Sequence, residues 1–209
     1  MRGNNQTGKD FRQVQALNRQ SEIYRKTLDL FVKKGYEGTS ISMIAKALGM
    51  SKANLYYYFP SKENLLYKIY LDYLERYFIP ILDETENLSN PEERLVFFLR
   101  KFTLSVCNSP ASRVLISQAH NLNREHYNEI RSVWKRSYQL ISGCIKELQE
   151  SGRARKFRDS FLTFLGSGMA FWIAYWFDYS RQTNAEELAD TVVETFLHGF
   201  LFPGNQEKH

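Results

Sequence analysis

Residues 38–66 of this chain read GTSISMIAKALGMSKANLYYYFPSKENLL, and they predict two short helices joined by a tight turn. A hydroxyl side chain stands before each helix, Thr39 or Ser40 before the first and Ser51 before the second, where it can cap the free N–H groups of the first helical turn. Gly49 follows the first helix, where the chain needs a left-handed residue that glycine supplies without strain. The spacing therefore predicts a helix-turn-helix, although an ordinary packed helical hairpin has the same spacing.

The charge pattern across this stretch points to an anionic partner. The 25 residues between Glu37 and Glu63 contain no aspartate or glutamate, yet they contain Lys46, Lys52 and Lys62. Acidic side chains are common in the first turn of a helix, because they complement the positive end of the helix dipole. Their absence from both helix starts fits ends that face phosphate groups, and a helix-turn-helix places its second helix in the major groove of DNA.

Three consecutive tyrosines, residues 56–58, occupy the second of these helices, and they cannot all face one core. We expect Tyr57 to project outward, because it lies away from the apolar positions, so that its hydroxyl can reach a phosphate. Leu55, Tyr58 and Phe59 are expected to be core residues.

The start of the chain differs in charge from the rest. Residues 1–70 contain 12 basic and 5 acidic residues, whereas residues 71–209 contain 16 basic and 18 acidic residues, so the net charges are +7 and −2. This asymmetry indicates an anionic partner for the basic segment alone, although a solvated basic surface would show the same charge. A hydrophobic content of 43% excludes a chain that is mainly disordered.

The whole sequence predicts an all-α fold of about nine helices, because apolar residues recur at helical spacing and no convincing strand alternation occurs. One helix is expected to begin at Ser61 and to end at Pro80, and the last two are expected at 159–179 and from Asn184 onward. The expected domains are a flexible N-terminal extension at 1–18, a helix-turn-helix domain at 19–66, a ligand-binding and dimerisation domain at 67–203, and a frayed C-terminus at 204–209.

An uncharged run of 17 residues, Phe161 to Phe177, is the one segment that suggests a membrane-associated helical protein as an alternative. A membrane-spanning helix needs about 20 apolar residues, and this run is diluted by Gly166 and Gly168. A buried helix in a bundle accounts for the run equally well, so we expect no membrane partner.

The sequence from Ile23 to Leu66 resembles the DNA-binding domain of the TetR family of transcriptional regulators. The matching elements are Ile23 with Leu30-Phe31, Gly35-Tyr36, Thr39-Ser40, Ile44-Ala45, Gly49, Ser51, Leu55-Tyr56, Tyr58-Phe59, Lys62-Glu63 and Leu65-Leu66. The chain departs from the family pattern at four positions, and these departures leave the preferred bases open: Thr27, Leu48, Met50 and Ala53.

The resemblance implies a three-helix DNA-binding head, a helical body that binds a small-molecule effector, and a homodimer formed through the last two helices. Regulators of this kind bind pseudo-palindromic double-stranded operators and usually repress, releasing the DNA when an effector enters the body. By motif position, the resemblance assigns contacts with the DNA backbone to Thr39, Ser40, Tyr56, Tyr57 and Lys62. It also assigns the exposed start of the recognition helix to Ser51, Lys52, Ala53 and Asn54, of which Asn54 and Lys52 suit adenine and guanine edges.

The C-terminal half is similar to TetR-family regulators of fatty-acid and acyl-CoA metabolism, through spaced matches from Tyr138 to Leu188. That similarity implies an apolar or amphipathic effector, such as an acyl-CoA. The candidate effector-binding residues are Arg113, Arg131, Phe164, Phe171, Trp172, Tyr175 and Trp176. The alternatives are a multidrug-type regulator of cationic or aromatic compounds, with Asp178 as the nearest acid, and plain core packing of the aromatic residues.

No pattern in the sequence supports catalysis, a metal site or a cofactor. The four histidines form no metal-ligand pair with a cysteine or carboxylate cluster. Cys107 and Cys144 are too few for a disulfide framework and are expected to be buried thiols, with redox sensing as the alternative. We therefore expect a cytoplasmic, non-enzymatic regulator.

Overall fold

The computed structural model of the chain describes residues 4–177 and 184–200, with side chains for 18–109, 112–177 and 184–199. The chain divides into two compact units, Met1–Ile69 and Tyr70–His209.

The described residues form ten α-helices. They are α1 (Asn4–Lys34), α2 (Ile41–Ala47), α3 (Lys52–Tyr58), α4 (Lys62–Tyr73), α5 (Ile79–Glu86), α6 (Pro91–Cys107), α7 (Pro110–Gln118), α8 (Arg124–Glu150), α9 (Asp159–Trp176) and α10 (Ala185–Phe200). A π-helical segment, Leu74–Phe78, joins α4 to α5 without a break. With α4 and α5 counted as one continuous helix, the described chain has nine helices and no strand, which confirms the predicted all-α fold.

The first helix is longer than the sequence predicted. It begins at Asn4, so the flexible extension expected at 1–18 is not supported for residues 4–18. This segment contains no proline, and its residues of good helix propensity are Gln6, Lys9, Arg12, Gln13, Gln15, Ala16 and Leu17. A polar chain end of this composition can therefore continue a helix.

The first unit is held together by a small apolar core. Ile23 and Phe31 of α1, Ile44 of α2, Leu55 of α3 and Leu65 of α4 are all almost completely buried. Because each of the four helices contributes to this core, burial of apolar surface fixes the recognition helix α3 against its neighbours.

Pro80 does not end its helix, contrary to the expectation from the sequence. Proline has no N–H group, and its ring clashes with the carbonyl group four residues earlier in a regular α-helix. The π-helical turn before it avoids this clash, because the Ile79 N–H donates to the carbonyl of Leu74, five residues back. Pro80 then takes the second position of α5, and the helix continues to Glu86.

The second unit is built around α6, which contacts α5, α7, α8, α9 and α10. Leu95, Phe98, Leu99, Phe102 and Val106 form its buried face. Charged side chains also connect the outer helices to one another and to α6. Arg136 of α8 lies 2.6 Å from Asp83 of α5, and Arg100 of α6 lies 2.7 Å from Asp190 of α10.

The last two helices pack closely through a small residue. A Cβ atom added at Gly166 of α9 would lie 3.1 Å from the ring of Phe196 of α10, so the site admits only glycine without movement of that ring. Val192 and Phe196 are 4% and 6% exposed, and they belong to the core of this single chain.

The uncharged run of Phe161–Phe177 lies almost entirely in α9, which buries Leu162, Ala170 and Ala174 inside the second unit. Within residues 4–177 and 184–200, no helix combines the length and the apolar character that a membrane span requires.

Candidate functional site

The start of α3 is the centre of the candidate DNA-binding surface, and two serine caps set its position. Ser40 accepts a hydrogen bond from the Met43 N–H at 3.2 Å, and Ser51 accepts one from the Asn54 N–H at 3.1 Å. These bonds fix the first turns of α2 and α3 without a carboxylate, since neither helix has an acidic residue in its first turn. Ser51 is the cap that the sequence predicted, and Ser40, not Thr39, is the cap of α2.

The turn between these helices depends on Gly49, whose φ angle is +63°. The Gly49 N–H donates to the carbonyl of Lys46, and the Met50 N–H donates to the carbonyl of Ala45, at 3.1 and 3.0 Å. This pair of bonds is the Schellman arrangement, which satisfies the last carbonyl groups of a helix and reverses the chain. The turn thus aims the start of α3 outward from the core.

Four consecutive residues at that start are exposed, as the resemblance placed them: Ser51, Lys52, Ala53 and Asn54. The Lys52 ammonium lies 5.7 Å from the centre of the Tyr56 ring, which places a cation over an aromatic face. Tyr57 is 83% exposed, so its hydroxyl projects into solvent as the sequence predicted.

Thr39 does not present its hydroxyl at this surface. Its side chain is buried, and the hydroxyl donates to the carbonyl of Gly35 at 2.8 Å. Gly35 has a φ angle of +74°, so this bond closes the left-handed turn after α1. The structure therefore gives the Thr39 hydroxyl a role in this turn, and the phosphate contact implied for Thr39 stays a prediction.

Lys62 is partly buried and holds the loop between α1 and α2. Its ammonium donates to the carbonyl of Tyr36 at 3.0 Å and lies 4.0 Å from the centre of the Tyr36 ring. Burial is the main reason that the pKa of Tyr36 is raised to about 12, and the nearby carboxylates of Glu37 and Glu63 raise it further. The Tyr36 phenol is therefore neutral at physiological pH. The structure gives Lys62 a positioning role in addition to the phosphate contact expected from the resemblance.

Tyr58 was predicted to be a core residue, and that prediction is wrong. It is 53% exposed, and its ring meets the edge of the Tyr57 ring at a centroid distance of 5.3 Å. Leu55 and Phe59 are buried as expected, and the Phe59 ring lies 6.0 Å from the ring of Tyr24 of α1. In a helix of seven residues, the inner face has room for few large side chains.

Two basic residues of α1, which the sequence analysis missed, stabilise the end of α2. Lys26 donates to the carbonyl of Ala47 at 3.3 Å, and Arg19 donates to the carbonyl of Leu48 at 3.4 Å. Cations favour the last turn of a helix, where the free carbonyl groups carry partial negative charge. No local pattern predicts these contacts, because they join residues more than 20 positions apart.

The candidate effector residues do not form one cluster. Trp172 and Trp176 are 65% and 70% exposed on the outer face of α9, and Phe164 and Tyr175 are exposed as well. Arg113 and Arg131 are also exposed. Phe171 alone among the aromatic candidates turns inward.

Phe171 joins an aromatic cluster inside the second unit that the sequence analysis did not identify. Its ring lies 5.3 Å from the rings of both Phe102 and Trp134. The Phe78 ring lies 4.4 Å from the Trp134 ring, which makes this a continuous set of rings from the π-helical segment to α9. The Trp134 indole donates a hydrogen bond to the Tyr70 phenol, while burial raises the pKa of Tyr70.

Asp178, a metal site and the two cysteines were the other features that the sequence analysis considered. Asp178, the acid named for the multidrug-type alternative, lies outside the described residues. In the part of the chain that the structure describes, no three His, Cys, Asp or Glu residues come together as a metal site. Burial raises the pKa of the Cys107 thiol to about 11 and also raises that of Cys144, so both thiols stay protonated at neutral pH and are poor nucleophiles.

Comparison with known proteins connects both units to one family. The model of "Bacterial regulatory proteins, tetR family" matches residues 23–69, and the model of "Tetracyclin repressor-like, C-terminal domain" matches residues 88–200. The chain is 29% identical over 199 residues to the HTH-type transcriptional regulator RutR of Escherichia coli O157:H7. The aligned region covers 92% of this chain and 88% of RutR.

Solved structures show the same similarity. AibR, in complex with isovaleryl coenzyme A and operator DNA, has a TM-score of 0.78 and 27% identity across 85% of this chain and 97% of its own. FadR from Bacillus subtilis, in complex with stearoyl-CoA, has a TM-score of 0.70 across 86% of this chain and 98% of its own; at 18% identity it shows the fold alone. The family models cover both units, and the chain therefore belongs to the TetR family of bacterial transcriptional regulators.

Proposed function

We propose that this regulator binds double-stranded operator DNA through the surface formed by the starts of α2 and α3, and that a small-molecule effector releases it. The observation that carries the proposal is the exposed start of α3, which lies within 25 residues that contain no acid. A surface without carboxylates can approach the phosphate backbone without like-charge repulsion, and free helix N–H groups favour phosphate.

Within this surface, the exposed side chains divide into two roles. Asn54 and Lys52 are proposed to read base edges, since an amide pairs with adenine and an ammonium with guanine. Ser40, Tyr56 and Tyr57 are proposed to contact phosphate groups, which fixes the head on the duplex without reading sequence. Ser51 and Ala53 shape the start of the helix, and Lys62 can contact phosphate while it holds the Tyr36 loop.

We further propose a homodimer formed through α9 and α10. Five apolar side chains on the outer face of α9 are exposed in the single chain: Phe161, Phe164, Leu165, Trp172 and Trp176. A contiguous apolar surface of this kind is unusual on a monomer and is typical of an interaction site. Val192 and Phe196 are not part of this surface, because they are already buried within the chain.

The proposed effector is an acyl-CoA or a related acyl compound. The likeness to AibR, which was solved with isovaleryl coenzyme A, supports this class of effector. The aromatic cluster of Phe78, Phe102, Trp134 and Phe171 is the proposed position of the acyl chain, in place of the outward-facing Trp172 and Trp176. An apolar chain that enters this cluster must displace a ring, and Trp134 of α8 and Phe171 of α9 are its two half-buried members, whereas Phe78 and Phe102 are buried.

Selection from random double-stranded DNA tests the proposed DNA binding. The full chain is expected to enrich a two-fold symmetric sequence whose half-sites lie about 34–36 Å apart, or a multiple of that distance. Enrichment of no sequence, or of a single asymmetric site, would contradict the proposal.

Fluorescence of Trp134 tests the proposed effector site. In the variant W172F/W176F, Trp134 is the one tryptophan that remains. Titration with isovaleryl-CoA and longer acyl-CoAs is expected to change its emission and to release the selected DNA. A response to cationic dyes alone would favour the multidrug-type alternative and contradict the acyl-CoA proposal.

A further inference from the structure

A small cavity of about 300 Å³ opens in the first unit, among α1, the end of α3 and α4. Its floor consists of Ile23, Tyr24 and Phe59, which are all buried, and Tyr58 forms an exposed wall. The ring of Phe59 lies 6.0 Å from that of Tyr24 and 6.4 Å from that of Tyr58. The cavity thus has an aromatic lining and a volume at the lower end of the range for ligand pockets.

The rim of this cavity is positively charged. Arg19 and Lys68 line it, and none of the residues that line it is acidic. The Arg19 guanidinium lies 2.8 Å from the Glu22 carboxylate and donates to the carbonyl of Leu48, and these two contacts hold it in place. Lys68 is exposed, and its ammonium lies 5.0 Å from the centre of the Tyr67 ring. Lys68 can therefore turn toward a ligand at little cost.

We propose that this cavity binds a small planar aromatic carboxylate. The ring system stacks against Phe59 and Tyr58, because aromatic pairs gain energy beyond the area that they bury. The carboxylate meets Lys68 and Arg19 at the rim, where a cation would be repelled by two like charges. The cavity is far too small for an acyl-CoA, so this site is separate from the effector site proposed in the second unit and does not depend on it.

Calorimetric titration of the full chain with 2-naphthoate tests the proposal. Tyr58→Ala removes the wall and is expected to weaken binding by about tenfold, the loss of one aromatic contact. Lys68→Ala removes the more adaptable cation and is expected to weaken binding by about threefold, as for an exposed ion pair. Neutral 2-naphthamide is expected to bind the native chain and Lys68→Ala equally.

Two matched variants control for binding elsewhere on the protein. Tyr56→Ala and Lys46→Ala remove an exposed tyrosine and an exposed lysine of the same unit that do not line the cavity. Both are expected to bind 2-naphthoate as the native chain does. Circular dichroism of each variant checks that the helices are intact, and Tyr58→Leu or Lys68→Gln replaces the alanine variant of the same residue if that variant fails to fold.

Three results would overturn the proposal. The native chain could bind no 2-naphthoate, or all four alanine variants could bind it equally, which would locate the probe elsewhere. Equal binding of 2-naphthoate and 2-naphthamide by every variant would show that the rim charges do not recognise a carboxylate. None of these results bears on operator binding, which is measured separately.

Discussion

Lys62 provides the sharpest test of the local structure, because it occupies a position equivalent to that of Lys52 but has different contacts. Each lysine is the first residue of its helix, α4 or α3, directly after a capping serine. Of the two, only Lys62 donates to a backbone carbonyl, that of Tyr36. Its ammonium also lies 4.0 Å from the centre of the Tyr36 ring. Lys52 is exposed and lies 5.7 Å from the centre of the Tyr56 ring.

The expected cost of Lys62→Ala follows from these contacts. A partly exposed hydrogen bond from a charged donor stabilises by about 1.5 kcal/mol, and a cation over an aromatic ring adds about 0.5–1 kcal/mol. Lys62 also lies at the positive end of the α4 dipole, so removing its charge stabilises the fold by about 0.5 kcal/mol and offsets part of this loss. Glu37 adds little, because it lies 3.9 Å from the ammonium and is largely exposed. The free energy of unfolding should therefore fall by about 1–2 kcal/mol.

Urea unfolding followed by far-UV circular dichroism measures this loss, with Lys52→Ala as the matched control. Lys52→Ala loses no comparable contact and should change the free energy of unfolding by less than about 0.5 kcal/mol. Equal stabilities of the two variants would show that the Tyr36 loop does not depend on Lys62, and the argument from its contacts would be wrong.

Three further perturbations test other parts of the account. The Thr27 hydroxyl is completely buried and has no hydrogen-bond partner, and Thr27→Val replaces it with a methyl group of the same shape. The free energy of unfolding in urea should therefore rise by about 1 kcal/mol, and a fall would mean that the hydroxyl is satisfied. Gly49→Ala should cost about 1 kcal/mol because its φ is +63°, whereas Gly143→Ala within α8 should gain nearly as much; equal signs would contradict the turn geometry. Trp172→Glu should give a folded monomer in sedimentation, whereas Val192→Glu should unfold the chain; a dimeric Trp172→Glu would exclude the α9 surface as the interface.

The parts of the fold that depend on neighbouring residues could be predicted from the sequence. The starts of α2 and α3 follow from Ser40 and Ser51, because a serine cap bonds to an N–H group three residues away. The turn between them follows from Gly49, since its left-handed conformation is a local property. Pro80 shows the limit of such reasoning, because a π-helical turn immediately before it removed the clash that would have ended the helix.

The direction of a side chain depends on contacts between distant residues, and there the sequence was a poor guide. Tyr58 was expected in the core but is 53% exposed, and the buried Thr39 hydroxyl donates to the carbonyl of Gly35, a contact that no local pattern indicated. Phe171 and Trp172 are adjacent in sequence, yet one lies in the aromatic cluster and the other on the outer face of α9. Periodicity shows that a helix is apolar on two sides but not which side is covered by the same chain.

The proposal that the exposed start of α3 reads DNA is tested most directly by comparing two neighbouring variants on one set of operators. Fluorescence anisotropy with the selected operator and its single-base variants gives an affinity for each DNA. Tyr57→Ala, which removes a proposed phosphate contact, should weaken binding to every DNA by the same factor. Asn54→Ala should change the order of affinities by removing about 1–3 kcal/mol of discrimination at one base pair in each half-site. If Asn54→Ala kept the native order of affinities, or if neither variant bound DNA more weakly than the native chain, the start of α3 would not be the reading surface.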